Sequence, residues 1–143
     1  MGKIKYFLSL IGVVLILVMA IFMANPRSIK AAEDCRIVKI SGIGSPVSVR
    51  IEPETLSIPK GTCVVWVNWA RATEVKIKFK DGNKCVDATQ SPVGFRMDAM
   101  NCYVTDHVPL GATSSLMFNK EGTFDYEVGA AFATPVTGRI IVK

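Results

Sequence analysis

The chain has 143 residues, half of them apolar, with a formal net charge of +5 and a single histidine. That length fits one domain plus an appendage. From Cys35 onward there are 13 Lys+Arg against 10 Asp+Glu, a scattered excess of +3 that argues against a nucleic-acid partner.

Chain order begins with an apolar run. Residues 1–5 carry Lys3 and Lys5, and Tyr6–Ala24 then gives 19 residues without a charge. As a helix this run would be roughly 28 Å long, about the thickness of a bilayer core. It is longer than the apolar part of a typical signal peptide, and bulky Phe22 and Met23 stand at its end. The expectation is a single-pass membrane anchor over residues 6–24, with residues 1–5 cytoplasmic. A cleaved signal ending near Ala31-Ala32 is the competing reading. Either way residues 35–143 cross the membrane, and the C-terminal domain lies on the periplasmic or extracellular side. Residues 25–34 read as a polar linker.

Beyond the linker no helical periodicity persists. Short β-branched and aromatic runs predict strands over Arg36–Ser41, Val47–Ile51, Thr55–Ile58, Cys63–Asn68, Val75–Phe79, Ser114–Phe118, Gly122–Val128 and Arg139–Val142. Pro59-Lys60-Gly61 and Asn119-Lys120-Glu121-Gly122 are turn signals. Regular short strands over about 109 residues predict an all-β sandwich or barrel. Lys76, Lys78 and Lys80 alternate with Val75, Ile77 and Phe79, as on a strand with one wet face. Asp81–Gly111 is the stretch without a regular pattern.

All four cysteines, Cys35, Cys63, Cys85 and Cys102, follow the apolar run, and none forms a CxxC pair. An even number in a small exported domain predicts two structural disulfides. Spacing leaves three connectivities open. Cys85–Cys102 is favoured because both lie in one turn-rich stretch, which leaves Cys35–Cys63 at the starts of two strands.

Three blocks in order resemble the cupredoxin (plastocyanin/azurin-like) family: IEPETLSIPKGTCVVWVNWA at 51–70, LGATSSLMFNKEGTFDYEV at 110–128 and TGRIIVK at 137–143. The resemblance covers nearly all of residues 47–143 and implies a Greek-key β-sandwich. Cupredoxins hold copper with two His, a Cys thiolate and a weak axial ligand, a soft set suited to one-electron transfer. The matching positions here are Glu74 and Ala131 for the imidazoles, Val128 for the thiolate and the neighbourhood of Pro135-Val136 for the axial ligand. All four depart from the pattern. The resemblance therefore implies a divergent member without a blue-copper site, in which Val128–Ala133 form an apolar loop plugging one end.

Other constellations are thinner. Met97, Met100, Cys102 and His107 form a soft-ligand set that would serve a relocated copper site, the alternative to a cofactor-free protein. Trp69 with Phe132 is a candidate contact patch. No G-x-S-x-G elbow, phosphate loop or carboxylate pair points to an enzyme. The sequence thus predicts a non-enzymatic interaction or structural module of a cell-envelope assembly, with an envelope protein as its partner.

Overall fold

The computed structural model describes residues 35–43, 48–71, 74–131 and 133–143. The chain divides into two units, residues 1–32 and 33–143, and every described residue belongs to the second. The expected span 6–24 lies outside the described residues. Among those described, no helix is long and apolar enough to cross a membrane.

Eleven strands and one short helix are present among the described residues. They are β1 Arg36–Ile43, β2 Ser48–Glu52, β3 Thr55–Ile58, β4 Thr62–Trp69, β5 Val75–Phe79, α1 Gly82–Ala88, β6 Thr89–Val93, β7 Phe95–Met97, β8 Tyr103–Thr105, β9 Thr113–Phe118, β10 Gly122–Ala130 and β11 Val136–Val142. They make two sheets, a five-stranded one in the order β2-β1-β4-β9-β6 and a six-stranded one in the order β3-β11-β10-β5-β8-β7.

Each expected strand is present, several with longer ends. The patternless stretch is more ordered than the sequence indicates, because it contains α1 and three short strands. Asp81 caps α1, its carboxylate accepting from the Lys84 amide at 3.2 Å.

Period-two alternation sends Val64, Trp66 and Asn68 of β4 inward, and Val75, Ile77 and Phe79 of β5 likewise. Trp66 is fully buried between the sheets, with its ring 5.9 Å from Phe79, 5.5 Å from Phe95 and 5.5 Å from Tyr126, all in edge-on contacts. Gly138, opposite Tyr126 on β11, leaves room for that ring: a Cβ there would lie 2.3 Å from the tyrosine Cζ. Burial pushes the Tyr126 phenol up to about 12.

β1 runs parallel to β4, with Arg36 opposite Val64, so the residues one step earlier, Cys35 and Cys63, face each other. They are bonded, with Cα atoms 4.5 Å apart. The second expected bridge is absent. Cys85 and Cys102 are free, buried thiols, and the Cys102 sulfur faces the Met100 carbonyl oxygen at 3.9 Å.

Candidate functional site

The family ligand positions gather where β10, β11 and β5 meet at one end of the sandwich. Val128 is not in a loop. β10 continues through it to Ala130, because Val128 pairs with Ile77 of β5 on one side and Val136 of β11 on the other. Its side chain is fully buried in the core. Of the plug expected over Val128–Ala133, residues 128–130 are therefore the end of β10 and Ala131 is a turn. Val136 is likewise the first residue of β11. Phe132, half of the candidate contact patch, lies outside the described residues.

Glu74 and Ala131 are exposed at the rim. They share an open depression of about 310 Å³ with Lys76, Gly129, Ala130 and His107. His107 comes from the segment after β8, held in place by the Val75–Val108 bridge, whose two amide-to-carbonyl bonds measure 3.1 and 2.8 Å. Its Nδ1 stands 3.7 Å from the Glu74 carboxylate, an ion pair only when the imidazole is protonated. Both side chains are more than half exposed, so the pair contributes little stability.

Beneath this rim, Asn68 organises the backbone. Its side-chain amide donates to the Val108 carbonyl at 2.8 Å, and its side-chain oxygen accepts from the Ala70 amide at 2.8 Å. Its main chain bonds Gly111 and Ala112 at 2.7 and 3.1 Å. A fully buried amide needs such partners. Sequence reasoning assigned Asn68 no role. The signal was present, since Asn68 is a polar residue among the inward positions of β4 next to Trp66, where only Thr62 at the start of the strand is also polar.

The soft-ligand set does not assemble. Met97, Cys102 and Met100 surround the turn between β7 and β8, where Met97 pairs with Tyr103 and the Asp98 amide donates to the Cys102 carbonyl at 2.9 Å. The Asp98 carboxylate accepts from the amides of Met100 and Cys102, and these bonds hold its pKa below the usual carboxylate range. His107 lies at the other end of β8. Tyr103 and Val108 bond to Phe79 and Val75, the opposite ends of β5, about 13 Å apart at the rise of a strand. One metal ion cannot be shared over that distance. Among the described residues, no three His, Cys, Asp or Glu side chains group to hold a metal.

No family model and no curated protein matches the chain. Solved structures do. A reduced Cu(I) form of an amicyanin variant at pH 4 superposes with a TM-score of 0.50 and 18% identity, over 79% of this chain and 86% of that one. An oxidised amicyanin variant gives 0.50 at 18%, over 76% and 82%. A reduced amicyanin variant gives 0.50 at 19%, over 77% and 83%.

The fold is cupredoxin-like. Within this cupredoxin-like domain, the end that bears the degenerate ligand positions presents one imidazole, one carboxylate and small apolar groups. The imidazole comes from outside the family positions.

The lysine row forms part of the wet outer face of β5. Lys78 pairs across the sheet with Glu127, and the Lys80 ammonium lies 2.6 Å from the Glu127 carboxylate, which raises the lysine pKa. The five-stranded sheet is different. The outward positions of β4 are Cys63, Val65, Val67 and Trp69, and Ile37 of β1 pairs beside Val65. Ile37 and Trp69 are 61% and 54% exposed. A strand facing water on one side usually carries polar residues there.

Proposed function

We propose that this protein is a non-enzymatic interaction or structural module of a cell-envelope assembly. It is tethered to the membrane through residues 6–24 and has no blue-copper site. Val128 carries the reading. Where the resemblance puts the copper thiolate there is a hydrocarbon side chain fully buried between Ile77 and Val136. An isopropyl group has no lone pair to offer a metal, and the imidazole positions hold Glu74 and Ala131. The apolar row of Ile37, Val65, Val67 and Trp69 supports contact with an envelope protein, since apolar and aromatic side chains at the surface mark interaction sites.

The detergent-solubilised protein titrated with Cu(II) is expected to stay colourless, with no rise in melting temperature. An intense sulfur-to-copper band, or one-to-one binding lost in His107→Ala, would overturn the copper-free reading. The anchor is tested on the same material. Carbonate-washed membranes should retain a chain of full mass, and a soluble form starting near Glu33 would refute the anchor. A partner retained by the wild type through solubilisation should be lost from Trp69→Asp, and equal retention would remove the apolar row from the argument.

A further inference from the structure

Cys85 and Cys102 stand on opposite sides of one tight backbone contact. The Gly82 amide donates to the Asn101 carbonyl at 3.1 Å. A Cβ at Gly82 would lie 2.3 Å from that oxygen and 2.8 Å from the carbonyl carbon of Cys102. Only glycine lets α1 begin this close to the entry of β8. Cys85 is three positions further on the same buried face of α1, which Ala88 completes. Asp81 fixes the start of the helix, and Asp98 fixes the Cys102 amide at 2.8 Å. Both thiols are buried, Cys85 at 1% and Cys102 at 7% exposure.

We propose that Cys85 and Cys102 are a redox pair that closes into a second intramolecular disulfide across the α1–β8 contact when the domain meets a disulfide donor. The structure holds the dithiol form. Closure needs the Cys102 side chain to turn from the Met100 carbonyl toward α1. The donor is a disulfide of a thiol–disulfide oxidoreductase or a small-molecule disulfide. The thiolate of Cys102, the less deeply buried of the two residues, attacks it and releases one donor thiol. The Cys85 thiolate then attacks the Cys102 sulfur, so the mixed disulfide breaks, the Cys85–Cys102 bond forms and the second donor thiol leaves. The protein loses two electrons and two protons, and the donor gains both. The Cys35–Cys63 bridge already suits the domain to a compartment where disulfides persist. Burial first, and the Asp81 charge second, push the Cys85 thiol up to about 12, so its thiolate is scarce in the folded dithiol. Closure is therefore fastest while α1 is open. The bridge would fasten the excursion between β5 and β9, and the inference stands apart from any partner of the outer sheet face.

The test refolds the reduced, denatured full-length protein in detergent with a glutathione redox buffer, alkylates remaining thiols and maps non-reduced peptides. The expected result is a Cys85–Cys102 linked peptide beside Cys35–Cys63, with no alkylated cysteine. The melting temperature should stand roughly 13 °C above that of the Cys85→Ala/Cys102→Ala variant, the shift from closing a loop of this size in a domain of this length. Alkyl groups on Cys85 and Cys102 beside an intact Cys35–Cys63 bridge would overturn the proposal. Native protein incubated with glutathione disulfide gives a second reading that needs no refolding. Loss of both thiols into the internal bridge supports the proposal, and an unresolved glutathione adduct on Cys102 overturns it.

Discussion

Trp66→Ala should cost this domain about 3–5 kcal/mol, the usual range for deleting a fully buried large aromatic. The indole is the hub of the core, with Phe79, Phe95 and Tyr126 all set edge-on to it. These rings come from β4, β5, β7 and β10, so they span both the regular strands and the excursion after β5. Phe79, itself 6.0 Å from Phe95 and 5.4 Å from Tyr126, cannot collapse into the void without abandoning those contacts. The cavity therefore stays largely open, and its cost adds to the lost burial. Urea unfolding should show the loss as a lower midpoint at an unchanged slope. Trp69→Ala is the matched control. Its indole lies more than half in solvent at the end of the same strand, so the change should stay within about 0.5 kcal/mol. Equal effects of the two substitutions would mean that the two-sheet core does not rest on Trp66.

The contrast between these tryptophans was partly readable from the chain. Positions three apart on a strand fall on opposite faces, so strand parity, a local property, sets Trp66 and Trp69 on different sides of β4. Cys35–Cys63 was reached only as the pairing left over once Cys85–Cys102 was favoured, and the register that joins it is set by the parallel β1–β4 pairing. What failed depended on distant segments. His107 meets Glu74 only because Val108 bridges to Val75, and no local pattern encodes that pairing. The soft-ligand set read as one cluster because its members are close in sequence. β8 then carries His107 away from Cys102 along an extended strand.

The end of β10 was misplaced for a related reason, since the expected strand stopped at Val128. Gly129 and the alanines after it read as a loop, yet pairing with β5 and β11 on both sides extends β10 to Ala130. Helix α1 escaped because seven residues beginning Gly-Asn are too few to display a helical period, although Asp81 three residues before Lys84 was a capping signal. β6 to β8 are short and broken by Ser91, Gly94 and Asn101, all at positive φ. Runs that brief carry no usable alternation.

Loss of the Cys35–Cys63 bridge should be the other large effect, about 2–5 kcal/mol. The bond joins residues 28 apart, and closing a loop of that size restricts the unfolded chain by ~3.5 kcal/mol on the chain-entropy estimate. In a domain of about 109 residues this corresponds to a melting temperature lower by roughly 15 °C. The native side is also exposed to the loss. β1 lies parallel to β4, and a parallel pair is slightly weaker per residue than an antiparallel one. The bridge holds the first residue of that pairing, ahead of Arg36 and Ile37. Without it β1 should fray from its N-terminal end, leaving that side of β4 unpaired. Amide exchange should report this directly. In Cys35→Ala/Cys63→Ala, the amides of Ile37 to Lys39 should lose protection ahead of those of Trp66 and Val128. A uniform loss of protection would assign the whole effect to the unfolded chain. A fall in stability under ~1 kcal/mol would mean that neither the loop closure nor the anchoring of β1 matters to this fold.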